Sequence, residues 1–114
     1  GLAGTHYLDS ALGGEEGMAF SDTLRIEGEC DKIYTNAPSQ LALRQTQQMT
    51  SLSEGGFCDT VVWNPGPEKA ASLNDLELGA YLHMLCVEAA CIADPIQLAP
   101  MATWEGGQTF TVTN

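Results

Sequence analysis

Glycine and proline residues interrupt the chain so often that only short secondary-structure elements fit between them. Turn-forming clusters lie at residues 13–14, 55–56, 65–67 and 106–107. The segments between the clusters are rich in β-branched and aromatic residues, which favour strands. Many short strands at a spacing of roughly 8–12 residues predict an all-β fold, an antiparallel β-sandwich that takes residues 1–114 as one domain. The expected strands cover residues 5–8, 22–26, 32–35, 40–50, 60–63 and 108–112.

The segment from residue 73 to residue 92 fits this pattern less well. Its apolar residues recur at intervals of three and four, which predicts an amphipathic helix. Residues 81–90 are also apolar enough for a fully buried strand, and periodicity alone does not separate the two. The pattern therefore leaves helix and strand open here. The residues that set the helical period are Leu76, Ala80, Met84, Val87 and Cys91.

The charge of the chain is strongly negative, with 15 acidic residues against four basic ones and a formal net charge of -11. Such a chain cannot neutralise a run of phosphates, so we expect no nucleic-acid partner and no attraction to an anionic membrane surface. No apolar stretch approaches the roughly 20 residues that span a bilayer. The acidity mainly indicates solubility. A phosphorylated ligand would be repelled by this field and would need a few well-placed bases.

The cysteines and histidines do not form a metal-binding pattern. No cysteine pair has the Cys-x-x-Cys spacing of a zinc or redox site, and the histidines are not clustered with the cysteines. We expect free, buried thiols in a reducing, cytoplasmic compartment, although four cysteines could also form two disulfides in a secreted domain. The residues concerned are Cys30, Cys58, Cys86, Cys91, His6 and His83.

Four residues are candidates for chemistry. Glu88 lies in an apolar run, where burial would raise its pKa and suit it to general-base catalysis, or where it could simply occupy an exposed face. Asp31 is either a ligand or an ordinary turn acid. Trp63 and Asn64 end a β-branched run before a tight turn, and an aromatic face with an amide is typical of sugar-binding sites. Alternatively, Trp63 is part of the core and Asn64 opens the turn.

Several segments together resemble the hexose-6-phosphate mutarotases, which are glucose-6-phosphate 1-epimerases of the aldose 1-epimerase group. That family has a V-W-N-P segment, a strand with a C-V-E or I-E core, and a closing L-A-P-G-x-x-W. Upstream it has G-L-x-G-x-x-Y-x-D and T-D-R-V-Y. The corresponding segments here are GLAGTHYLD (1–9), ECDKIY (29–34), DTVVWNPGPEKAASL (59–73), YLHMLCVEAA (81–90) and IQLAPMATWEGGQTF (96–110).

The resemblance implies a galactose mutarotase-like β-supersandwich, of which residues 1–114 would be the carboxyl-terminal part. It implies that residues 81–90 form a strand preceded by a short helical turn. Glu88 would be the general base that interconverts the α and β anomers of a hexose 6-phosphate, and Asp31 would hold sugar hydroxyls. Lys32 replaces the family's arginine and keeps its charge but not its forked geometry. The implied chemistry needs no cofactor and no metal.

The chain also departs from the family pattern. The family's histidine acid and its phosphate-binding arginines lie in an amino-terminal half that has no counterpart here, and Met101 replaces a glycine. The chain begins at Gly1 without a methionine, so we expect part of a longer polypeptide. Unpaired sheet edges would then favour self-association or pairing with the missing half. The alternative function is a noncatalytic carbohydrate-binding or structural fragment.

Overall fold

The computed structural model describes all 114 residues and contains two antiparallel sheets. The larger sheet has the order β2-β1-β3-β6-β7, and the smaller has the order β4-β5-β8. Every pair of neighbouring strands is antiparallel, which confirms the all-β prediction. The strands are β1 His6–Asp9, β2 Glu15–Met18, β3 Cys30–Thr35, β4 Gln40–Arg44, β5 Met49–Gly55, β6 Asp59–Asn64, β7 Cys86–Ala90 and β8 Gly107–Thr113.

Helical structure is confined to three short elements. The α-helix α1 spans Gly66–Ser72, and two 3-10 helices span Ser10–Leu12 and Ala80–His83. None of the three has the length and apolar character of a membrane-spanning helix. The sequence predicted only a turn at the start of α1. A helix forms there because proline occupies its first turn, where no intrahelical N–H is needed.

The core lies between the two sheets and is small. Cys30, Tyr34 and Val62 on the larger sheet form its centre, and burial raises the pKa of Tyr34 to about 12. Leu41 packs against this cluster from the smaller sheet. Several large apolar side chains are left fully or almost fully exposed, among them Phe20, Leu78 and Met101.

Three strand predictions are wrong in detail. Residues 22–26 form no strand, because the apolar side chains Leu24 and Ile26 pack directly on the core without a neighbouring ladder. Residues 40–50 form not one strand but the beginning of a hairpin, closed by the hydrogen bond from the Gln45 amide to the Gln48 carbonyl at 2.8 Å. Residues 15–18, where the sequence predicted no strand, form β2. Gly17 fits there because a Cβ would lie 2.5 Å from the Tyr7 ring.

The ambiguous segment contains the strand and the preceding helical turn that the family resemblance implied, but the strand is shorter than the predicted residues 81–90. Ala80–His83 is a single 3-10 turn and Cys86–Ala90 is the strand β7, so the helical period did not predict the structure. Tertiary pairing outweighs local periodicity because β7 forms a five-residue ladder with β6. Gly79, with φ of 81°, turns the chain into the 3-10 helix.

Candidate functional site

The larger sheet has a core face and an outer face, and alternation along its strands assigns each residue to one of them. Cys30, Tyr34 and Val62 point towards the smaller sheet and define the core face. Asp31 pairs with Trp63 across β3 and β6, so both lie on the opposite, outer face. Glu88 pairs with Val61 across β6 and β7 and shares that outer face. Three of the four predicted site residues are therefore on one surface.

The two carboxylates are separated by an apolar floor. Asp31 and Glu88 lie two strands apart and are offset by two residues along the strands. Standard sheet spacings put their Cα atoms about 12 Å apart. Val61 and Trp63 lie on the strand between them, both half-buried. This face therefore presents an aromatic ring between two carboxylates.

Glu88 is exposed rather than buried. It occupies the one exposed position of β7, and no hydrogen bond or ion pair reaches its carboxylate in the structure. The burial suggested by its apolar neighbours is therefore wrong. Those neighbours alternate, and Val87 points to the core face. Cys86 lies beside Glu88 on the outer face, where burial and the nearby Glu88 charge raise the pKa of its thiol.

Asn64 lies on the core face and is 3% exposed. Its Nδ2 donates to the carbonyls of Tyr81 and Met84 at 2.8 and 2.9 Å, and its Oδ1 accepts from the Gly66 amide at 2.9 Å. These bonds hold the end of β6, the start of α1 and the entry to β7 together. The position gives Asn64 a structural role, and its surroundings offer no support for the predicted sugar contact.

Lys69 is a base beside the outer face that the sequence argument did not single out. Its Nζ lies 2.7 Å from Oε1 of Glu29. The hydrogen bond that Lys69 donates to Glu29, together with the charges of Glu29 and Asp31, raises the pKa of Lys69. By contrast, Lys32 lies on the core face, 4.0 Å from an Asp9 oxygen and 4.3 Å from the centre of the Tyr7 ring. The sequence did contain a signal for Lys69, because Lys69 is the only basic residue in the segment 59–73 that contains the V-W-N-P motif.

Asp59 is a second residue that the sequence argument missed. It is fully buried, and its oxygens accept hydrogen bonds from the amides of Asn36 at 3.1 Å, Ile92 at 2.6 Å and Ala93 at 2.8 Å. Burial alone would raise the pKa of Asp59, but these three amides and the Cys58 thiol outweigh it and lower the pKa. Asp59 thereby ties the loops after β3 and β7 to the start of β6.

The two histidines lie outside the strand that carries Glu88. His6 shares that face but lies three strands away and two residues along, which standard spacings convert to about 16 Å between Cα atoms. His83 is exposed in the 3-10 turn before β7. No group of three or more histidine, cysteine or acidic side chains is arranged to hold a metal ion.

Comparison with known proteins supports the fold described above. A protein of Cenchrus ciliaris, provisionally named a glucose-6-phosphate 1-epimerase, is 36% identical over 108 residues, which cover 93% of this chain and 33% of the relative. A crystal structure of YeaD from Salmonella typhimurium, provisionally named a mutarotase, superposes with a TM-score of 0.87 at 21% identity. In sequence and in fold, the chain is similar to the carboxyl-terminal portion of a mutarotase.

The extent of the match with these mutarotases is limited. The superposition with YeaD covers 96% of this chain but 38% of that protein. The chain thus spans about a third of the length of the relatives that it matches. No family model matches the sequence. Because the identity with YeaD is low, that comparison establishes the fold of the β-sandwich and not its activity.

Proposed function

We propose that this chain carries the carboxylate side of a mutarotase site, where Glu88 acts as general base in the interconversion of the α and β anomers of a hexose 6-phosphate. One observation carries the proposal. The register places Asp31, Trp63 and Glu88 on one face, with the Glu88 carboxylate free of protein partners. The similarity to a glucose-6-phosphate 1-epimerase supports the substrate class.

The proposed reaction moves two protons and leaves the composition of the sugar unchanged. Glu88 takes the proton of the C1 hydroxyl while an acid protonates the ring oxygen, and the bond between C1 and the ring oxygen breaks. The aldehyde formed at C1 turns about the C1–C2 bond. Closure on its other face, with both proton transfers reversed, gives the other anomer. A general base whose carboxylate is unpaired is available for this transfer.

Asp31 and Trp63 would hold the sugar. The Trp63 ring offers an apolar surface to the C–H face of a pyranose, while the Asp31 carboxylate accepts hydrogen bonds from hydroxyl groups. Asn64 has no part in this site, because its amide is already used by the backbone. Lys69 lies at the end of the outer face that carries Asp31. Its positive charge is best placed to offset the repulsion between the acidic chain and the phosphate of the sugar.

The acid of the cycle is not assigned to a residue of this chain, because His6 lies about 16 Å from Glu88 and His83 is an exposed residue of the turn before β7. A single positioned base still accelerates proton transfer by roughly 10²-fold or more. We therefore expect this chain to accelerate anomer exchange less than a site with both groups would. Hydrolysis and redox chemistry play no part in the proposed reaction, since the sugar keeps all its atoms and electrons.

Exchange NMR on glucose 6-phosphate tests the proposal. Cross-peaks between the α and β anomeric protons should build up faster with the protein than in buffer alone. Unphosphorylated glucose under the same conditions should exchange more slowly if the phosphate contributes to recognition. Exchange at the buffer rate with both sugars would refute a catalytic role for this chain.

A noncatalytic carbohydrate-binding role is the second candidate, favoured by the separation of about 16 Å between Glu88 and His6. It predicts that glucose 6-phosphate shifts the amide resonances of the outer face without accelerating anomer exchange.

Self-association through the exposed apolar side chains is compatible with either role. Sedimentation of the chain over a range of concentrations measures it directly, and a constant monomer mass would exclude it.

A further inference from the structure

Cys58 and Cys91 lie opposite each other at one end of the larger sheet. The ladder between β6 and β7 ends with Asp59 opposite Ala90, so the next step of the antiparallel register brings residues 58 and 91 together. Both are free thiols and both are partly exposed. Opposed residues of antiparallel strands have Cα atoms about 4.5–5.5 Å apart, which is within the range of a disulfide.

Hydrogen bonds hold this pair in place. The Cys91 thiol donates to the Gly56 carbonyl at 3.7 Å, which directs it towards the segment that contains Cys58. The amides of Ile92 and Ala93, directly after Cys91, bind the Asp59 carboxylate directly after Cys58. Both thiols are therefore fixed on either side of one buried anchor, and little backbone movement is needed to join them.

The other two cysteines lack such a partner. Cys86 lies opposite Trp63, and Cys30 lies opposite Asn64. Cys30 is buried, and its thiol donates to the Val62 carbonyl at 3.6 Å. Of the four cysteines, only Cys58 and Cys91 face each other across neighbouring strands.

We propose that Cys58 and Cys91 form a reversible disulfide when the chain meets a low-molecular-weight disulfide such as oxidised glutathione. A thiolate from one cysteine attacks the oxidant, releases one glutathione thiol and leaves a mixed disulfide. The second cysteine displaces the other glutathione thiol and closes the internal S–S bond. Two S–H bonds and the oxidant's S–S bond are lost, one protein S–S bond forms, and the oxidant is reduced to two thiols.

The surroundings of Cys58 should slow the formation of this disulfide at neutral pH. Burial, the charge of Asp59 and the neighbouring Cys91 thiol all raise the pKa of Cys58. Less thiolate is then available as the attacking group, so the rate of closure should rise as the pH is raised from 7 to 9. The bond that forms would tie the first residues of β6 to the end of β7, which is an edge strand and carries Glu88.

Oxidation of the full chain followed by peptide mapping tests the proposal. The chain is incubated with oxidised glutathione at pH 7 and pH 9, remaining thiols are alkylated, and the digest is analysed by mass spectrometry without reduction. We expect one internal link between the peptides of Cys58 and Cys91, formed faster at pH 9 and reversed by dithiothreitol. Cys30 and Cys86 should be alkylated.

Thermal unfolding provides the second measurement. Closing the chain between residues 58 and 91 should raise Tm by about 10 °C in a domain of this size. The Cys58→Ser/Cys91→Ser variant should lose this rise, and the Cys30→Ser/Cys86→Ser variant should keep it. Mixed glutathione adducts without an internal link, or a link to Cys30 or Cys86, would each overturn the proposal. The peptide map of the unsubstituted chain decides the matter if a variant does not fold.

Discussion

Asp59 and Glu88 are two acids on the same pair of strands that serve opposite purposes. Both point to the outer face, yet Asp59 is fully buried under two loops and accepts three backbone amides. Glu88 is exposed and has no partner in the protein. A carboxylate is therefore available for chemistry when the fold leaves its oxygens without hydrogen-bond partners. The hydrophobicity of the residues next to it in sequence does not decide this.

The largest expected effect is the loss of activity in Glu88→Gln. If Glu88 is the base, its amide cannot accept the proton, and anomer exchange of glucose 6-phosphate should fall by roughly 10²-fold or more, to the buffer rate. The free energy of unfolding should change by less than about 0.5 kcal/mol, because the site is exposed. Glu16→Gln is the matched control, since Glu16 is also exposed and on the outer face. Equal rates for the two variants would remove Glu88 from the mechanism.

Asp59→Asn should have the converse effect, a large loss of stability. The variant replaces one carboxylate oxygen by an NH2 group, which then faces the amide of Asn36 or the amides of Ile92 and Ala93 and cannot accept from them. The remaining oxygen is uncharged, and each bond to a charged acceptor is worth roughly 1.5–3 kcal/mol. We expect urea unfolding to show a loss of about 4 kcal/mol. Asp75→Asn, in an exposed turn, is the control and should change stability by less than about 0.5 kcal/mol. A loss as small as that of the control would mean that the buried carboxylate is not an anchor.

A smaller effect is expected on the pH dependence of stability. The pKa of Asp59 is lower in the folded chain than in the unfolded chain, so its contribution is complete above the unfolded value of about 3.9. It is lost as the pH falls through the lower, folded value. The difference in unfolding free energy between the unsubstituted chain and Asp59→Asn should therefore narrow below about pH 4. A difference that stays constant down to pH 2 would contradict the lowered pKa.

Much of the fold could be predicted from the sequence, because β-branched runs between turn signals mark strands well. Residues 60–63 and 108–112 lie inside β6 and β8. The sequence pattern gave wrong strand predictions where tertiary contacts decide whether a segment joins a sheet. Residues 22–26 have strand propensity but no ladder partner, and β2 is a strand only because β1 pairs with it. The family resemblance, rather than periodicity, predicted the strand at β7.

The candidate site was predicted in part. Glu88, Asp31 and Trp63 could be named from their motifs, and the structure places them on one face. Asn64, next to Trp63 in sequence, lies on the other face because side chains alternate along a strand. The roles of Asp59 and Lys69 could not be predicted from their contacts, because their partners, Ile92 and Glu29, lie far away in sequence. Such contacts exist only after the sheet has formed.

We propose that the outer face of the larger sheet, and not the core face, receives the sugar phosphate. Amide chemical-shift mapping with glucose 6-phosphate tests it directly. The expected result is that the largest shifts occur at Asp31, Trp63 and Glu88, with little change at Leu2, which is buried in the core cluster. Shifts confined to the smaller sheet, or no shifts at saturating sugar phosphate, would contradict the claim.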